Sequence, residues 1–389
     1  MYFILLGWCF VSKVVLALPN HQGWFMMITW ELFSYNLSLT HYFSGCENMK
    51  VASKDWETEY RLPASVQPQH YDLYLYPNLE TDTFSGHVNI TLEISQPRTY
   101  VNLHVKNLSV THTKLFSVTD DDAEEVVPLL EAFEYEPNQF WVVRLDEKDP
   151  LRPGTYKLYL EFNGRLDNGI LGFYKSVYTD EQGQAHKMAT SKFQPTYARQ
   201  AFPCFDEPSF KSNYTTTLVK PSDTNYVALS NMPMTKSKVD KPLEGLTEVT
   251  FQTTVPMVTY LAIFIVSDFE FIETVTQEHG IPLKVYGTRQ QIPRLDYALR
   301  AGAAIADFYE TYFGIRYPLP KLDMAAIPDY SSGATEHWGL ITYRETNLVY
   351  DPTESSVFNK ERVAMVIAHE LAHQWFGNLI TVHWWNDLW

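Results

Sequence analysis

Two rhythms divide the chain. From about Tyr60, apolar and polar residues alternate in short runs at 70–76, 87–94, 100–105 and 156–162. A period of two is the mark of a half-buried strand. Turn-formers such as Pro77-Asn78 and Arg152-Pro153-Gly154 separate these runs, and strand-like stretches continue at 214–219, 246–255 and 258–266. The pattern predicts an all-β, largely antiparallel domain over residues 55–266. Near Ala301 the rhythm turns helical. Residues 297–312 (YALRAGAAIADFYETY) carry apolar side chains at helical spacing, with Gly314 as a stop. A strand follows at 322–327, then a glycine-containing loop at 331–339 that runs into a second apolar stretch at 340–343.

The last helical segment carries the chemistry. Residues 366–378 read V-I-A-H-E-L-A-H-Q-W-F-G-N. Apolar residues at Val363, Val366, Ile367, Leu371 and Trp375 keep a 3.6-residue beat. Asn359 is the expected N-cap, with Glu354 and Glu361 as acidic neighbours and Gly377 as the stop. On such a helix His369 and His373 lie one turn apart on one face. Two imidazoles so placed suit one tetrahedral metal, usually zinc. Glu370, between them, is aimed near the same point and is the expected general base.

Composition bounds the rest. The chain has 389 residues, 45% hydrophobic and 20% charged, enough for a sizeable core and two or three domains. A formal net charge of −16 argues against nucleic acid as a partner. Residues 1–17 read as a secretory signal, with Val15 and Ala17 as small residues at a cleavage site, although no basic residue precedes the apolar run and Lys13 interrupts it. Residues 18–54, rich in aromatics and without a period, read as a leader or linker. Three cysteines, Cys9, Cys46 and Cys204, make no disulfide framework, and at most Cys46 and Cys204 are left to pair once a signal is removed. Sequons at Asn36, Asn89, Asn107 and Asn213 agree with a secretory route to the outside or the cell surface. The acidic run at 120–125 is expected to be a solvated loop. The edge of the strand and loop ahead of the metal helix is where a peptide backbone could add as an extra strand.

Four motifs, in order, carry a resemblance: A-R-Q-A-F-P-C-F-D-E-P at 198–208, Y-P-L-P-K-L-D at 317–323, G-A-T-E-H-W-G-L-I-T-Y-R-E at 333–345, and H-E-L-A-H-Q-W-F-G-N at 369–378 with W-W-N-D-L-W at 384–389. Over roughly 60–389 the chain resembles the N-terminal part of a zinc aminopeptidase of the aminopeptidase N and glutamyl aminopeptidase family, in the gluzincin clan. The resemblance implies a multidomain protein: an antiparallel β saddle or sandwich over 55–266, then the first half of a thermolysin-like α+β zinc-peptidase domain over 267–389. It implies peptides with free N-termini as substrates, one zinc ion on His369 and His373, and Glu370 as general base. Glu336 stands where the family's G-A-M-E-N loop binds the substrate α-amine, and Gln194 matches a position that helps to hold that amine. A carboxylate there pairs with an ammonium and sets the register of attack. Membrane attachment through a helix or a lipid also occurs in this family.

Departures from the family pattern refine these expectations. The substrate loop reads Gly333-Ala334-Thr335-Glu336-His337, with Thr335 in place of a pocket-walling Met and His337 in place of an Asn, adding bulk and a titratable group. Lys192 stands where relatives place Gln or an acid in the pocket for the first residue; an ammonium there would favour an acidic residue, unless it points to solvent. The family's third zinc ligand, a Glu in a segment like L-N-E-G-F, would fall three residues past Trp389. The 389 residues alone are therefore expected to hold zinc weakly and catalyse poorly, with Trp375 and Trp384 uncovered. The alternative is a non-catalytic binding member that keeps the fold. An endopeptidase of the thermolysin kind is disfavoured by the Glu336 loop.

Overall fold

In a computed structural model the structure describes residues 55–388, save Asp120, Asp122 and Thr224. The signal at 1–17, the leader at 18–54, Cys9, Cys46, the Asn36 sequon and Trp389 lie outside the described residues. Residues 55–388 belong to one compact unit.

The alternating stretches become strands because one face of each is buried. In Val66–Asn78 the inward side chains are Val66 and Pro68, then Tyr71, Leu73 and Leu75. The phase flips between Pro68 and His70, where the pairing with Thr83–Ile94 shifts register. A bulge adds one residue to one strand and so moves the inward set by one. These two strands lie in an eight-stranded sheet, antiparallel except where Val66–Asn78 pairs in parallel with Asn213–Pro221. A four-stranded sheet orders Val227–Ser230, Phe264–Ser267, Ala185–Lys192 and Gly172–Thr179. Its strand Ala185–Lys192 delivers Lys192 and, two residues on, Gln194 to the site.

The second half is built on a five-stranded sheet ordered Glu270–Val275, Pro282–Gly287, Leu322–Ile327, Leu340–Arg344 and Ala334–Thr335. Leu322–Ile327 is buried at every position, as suits an inner strand with parallel neighbours on both sides. The short Ala334–Thr335 lies at the sheet edge, antiparallel to Leu340–Arg344. The helix Asp296–Phe313 ends at Gly314, whose left-handed φ of 64° closes it through a bond from its N–H to the Glu310 carbonyl. It packs against the metal helix Val357–His373. Tyr309 donates to the Ala368 carbonyl at 3.0 Å, and the Phe313 and Trp375 rings meet at 5.3 Å. One hydrophobic cluster runs from Tyr71 and Phe202 of the first half through Leu322 and Ile341 to Val363, Ile367, Leu371 and Trp375.

Several expectations need correction. The metal helix starts at Val357, capped by Ser356, whose Oγ accepts from the Asn359 amide at 3.2 Å; Asn359 sits inside the first turn. Val357 and Phe358 are exposed, which hid the first turn from a search for buried periodicity. The 246–255 strand stops at Phe251, and 258–266 splits into a 3-10 turn at Thr259–Leu261 and a strand at Phe264–Ser267. A segment buried all round has no period to separate turn from strand. Glu124 and Glu125 of the acidic run are exposed but lie on the edge strand Glu124–Val127. Trp375 is buried, its Nε1 donating to the Ile315 carbonyl, and Arg61 covers the Trp384 ring at 3.6 Å. Cys204 is a free, buried thiol.

Candidate active site

The helix does what its spacing implies. The Nε2 atoms of His369 and His373 converge to 3.1 Å. Two ligands of a tetrahedral zinc at about 2.05 Å would stand roughly 3.3 Å apart, so the pair fits that metal. His373 Nδ1 lies 2.8 Å from the Phe376 carbonyl, which fixes the proton on Nδ1 and leaves Nε2 a free lone pair. Glu370, the residue after His369, is 5% exposed, with Oε2 buried and unpartnered. Burial drives its pKa well above the ordinary carboxylate value, the Glu336 charge pushes the same way, and the Lys192 ammonium opposes both. Two convergent imidazoles on one helix face suit a single metal ion. No group of three or more metal-ligating side chains stands together among the described residues.

The loop from the sheet edge brings a second carboxylate to the same place. Glu336 is 5% exposed. Its Oε1 accepts from Gln194 Nε2 at 3.2 Å, and its backbone carbonyl accepts from Asn378 Nδ2 at 2.8 Å and Gln374 Nε2 at 3.4 Å. Gln374 caps the metal helix and Asn378 lies in the turn that follows it, so the loop is fastened to the end of the element that carries the imidazoles. Gly333 accepts from the Arg344 amide at 3.0 Å, and Ala334 accepts from Ser332 Oγ at 3.0 Å.

Lys192 does not point to solvent. It is 6% exposed, donates to Thr335 Oγ1 at 2.8 Å and sits 5.2 Å from the Tyr330 ring. Burial lowers its pKa, and the charges of Glu336 and Glu370 raise it back. The altered loop thus acquires a partner: a Met at position 335 would offer this ammonium no oxygen acceptor. His337 is fully buried, its ring set against the backbone of Tyr260 and Leu261. Burial first, then the Lys192 charge, push its pKa down to about 3. It adds bulk, and its burial disfavours the charged form.

The A-R-Q-A-F-P-C-F-D-E-P motif has a structural task. Arg199, 8% exposed, donates through Nε to Asp206 Oδ2 at 2.9 Å; Asp206 Oδ1 accepts from Thr259 at 2.7 Å. Glu207 accepts from the Leu62 amide at 2.7 Å and from Arg61 at 2.8 Å. Gln374, Asn378 and Asn347 were not singled out by sequence reasoning, although the first two lie inside the quoted helix motif.

An all-β domain leading into a mixed sheet, with an H-E-x-x-H helix behind it and a buried carboxylate on the edge loop, is the architecture of a metallopeptidase. Residues 67–261 match the Peptidase M1 N-terminal domain, and residues 297–389 match the Peptidase family M1 domain. The chain belongs to peptidase family M1. It is 43% identical to glutamyl aminopeptidase of Bos taurus over 348 residues, covering 88% of this chain and 35% of that protein. It is 40% identical to endoplasmic reticulum aminopeptidase 1 of Homo sapiens over 382 residues, covering 94% and 39%. Aminopeptidase A of Gloydius brevicauda is 43% identical over 334 residues, covering 85% and 34%. The chain thus spans a little over a third of the length of these relatives.

Proposed function

We propose that this chain carries the zinc and amine-binding elements of an aminopeptidase that removes N-terminal residues from peptides. The observation that carries the reading is Glu336: a buried carboxylate held by Gln194 and fastened to the metal helix by Asn378. An ammonium from a free N-terminus satisfies such a group through a charge-assisted hydrogen bond. That contact sets which peptide bond faces Glu370 and the imidazoles. His369 and His373 hold the zinc, which when bound supplies Lewis acidity. Glu370 takes a proton from the attacking water and passes it to the leaving amine. The strand Ala334–Thr335 stands at the edge of its sheet, where the peptide would add as a further strand.

Lys192, held against Thr335 one residue from Glu336, is the candidate for reading the first side chain. A carboxylate reaching it would be recognised by charge, in keeping with the names of the glutamyl aminopeptidase relatives. The domain division near 266/267, passage through the secretory pathway to the outside or the cell surface, and membrane attachment belong to the same reading. Of the described sequons, Asn107 lies exposed and supports that route. No helix among the described residues is long and apolar enough to cross a membrane.

The competing reading is a binding protein of the same fold, favoured by the altered loop, in which a buried His337 follows Glu336. The deciding experiment uses the whole protein that contains this chain. Release of the first residue from a free-amine peptide, abolished by a zinc chelator and by Nα-acetylation, is expected. Tight peptide binding without release would establish the second reading instead.

A further inference from the structure

Asn347 stands between the substrate loop and the metal helix, and touches both. It closes the short turn Glu345–Asn347 behind the strand Leu340–Arg344 and is 1% exposed. Its Nδ2 donates to the Gly333 carbonyl at 2.9 Å, and its Oδ1 accepts from Arg362 Nε at 2.8 Å. These two partners fix which way the amide faces, because a flipped amide would oppose acceptor to acceptor and donor to donor. Gly333 lies on the same loop as Glu336. Arg362 lies on the metal helix about two turns before His369. One side chain therefore spans from the amine-binding loop to the ligand-bearing helix. The approach is close: a Cβ added at Gly333 would stand 3.2 Å from Asn347 Nδ2.

We propose that Asn347 is a positioning residue that holds Glu336 at its working distance from the metal helix. The proposal rests on the aminopeptidase reading of Glu336. The far end of the loop is held separately, by Asn378 and Gln374 at the Glu336 carbonyl. The near end has the Arg344 amide and Asn347 at the Gly333 carbonyl. The Arg344 bond ties the loop to its own sheet, whereas Asn347 ties it to the helix. Asparagine is suited to the task because its short fork presents one donor and one acceptor; aspartate has no donor and leucine has neither.

The test is Asn347→Asp, which keeps the shape and the bond from Arg362 but sets an acceptor against the Gly333 carbonyl. Arg362→Met is the second variant; it lies on the exposed side of the helix, so it is expected to fold. Affinities for a free-amine peptide and its Nα-acetyl form are measured by calorimetry on the full chain with zinc supplied. Hydrogen exchange is followed at the amides of 333–336. Wild type is expected to prefer the free amine. N347D is expected to lose about tenfold of that preference, the scale of one buried hydrogen bond, and to speed loop exchange by a similar factor while the helix amides stay unchanged. R362M is expected to move both in the same direction by less. A preference and a loop exchange unchanged in both variants would overturn the role of Asn347. A wild type indifferent to acetylation overturns the amine reading instead; faster loop exchange in N347D then still establishes the tether, and unchanged exchange removes both.

Discussion

Glu336→Gln isolates the charge on which substrate recognition depends. Glutamine keeps the length of the side chain and can still accept from Gln194 Nε2, now 3.2 Å from Oε1, so packing is preserved. What is lost is the negative partner for an incoming ammonium. Hydrogen bonds to charged groups contribute about 1.5–3 kcal/mol, and this one is made at a group only 5% exposed, so water screens it little. The expected loss in affinity for a free-amine peptide is roughly 10- to 150-fold. The Nα-acetyl peptide carries no charge at that end, and its affinity should change by less than about twofold. Calorimetry with the matched pair reads both. Equal losses for the two peptides would mean that the substitution disturbed the loop as a whole, and no loss for either would refute the assignment of Glu336 to the amine.

Three further outcomes follow from other parts of the molecule. Lys192→Gln should erase any preference for a peptide beginning with Glu over one beginning with Gln; a preference that survives would place the selecting charge elsewhere. Arg199→Met leaves Asp206 buried at 1% exposure without its cation, so urea unfolding should show a loss of about 3–5 kcal/mol, whereas a loss below about 1 kcal/mol would mean that the pair is idle. His186 is held between Asp180 at 3.0 Å and Asp268 at 2.7 Å, with Tyr178 stacked at 4.8 Å. The Asp180 bond first, aided by Asp268 and opposed by desolvation, raises its pKa. The folded value stands above the unfolded one, so the clamp's stabilisation is complete below about pH 6.5 and fades as pH rises through the folded pKa. The stability difference between wild type and His186→Gln, from melting curves at a series of pH values, should shrink in that direction; a flat difference would contradict it.

Much of this was legible in the sequence wherever one face of an element meets water. The helix read at 297–312 is Asp296–Phe313, because its apolar stripe and the Gly314 stop are both local signals. The strand read at 322–327 is Leu322–Ile327. The His369–His373 convergence needed only the helical period. Legibility failed where burial is complete, as around Thr259–Leu261, and where exposed apolar residues begin a helix, as at Val357 and Phe358. It failed also for the supports of the site. Asn347 reaches back 14 residues to Gly333, and Asn378 reaches back 42 to Glu336. A lone side-chain amide carries no periodicity, so only the folded chain reveals what it holds. The surroundings of Lys192 and His337 are of the same kind. The resemblance assigned Lys192 to a pocket and His337 to the substrate loop, but the Thr335 hydroxyl beside the lysine and the sealed environment of the histidine are products of packing.

The central claim is that the two converging imidazoles form a zinc site governed by this helix. Its most direct measurement is a zinc titration of the whole protein that contains this chain, by competition with a chromophoric chelator, beside the His369→Ala, His373→Ala double variant. The account predicts one saturable site per chain in the wild type and none in the variant. No zinc uptake by the wild type, or uptake that survives the loss of both histidines, would contradict it.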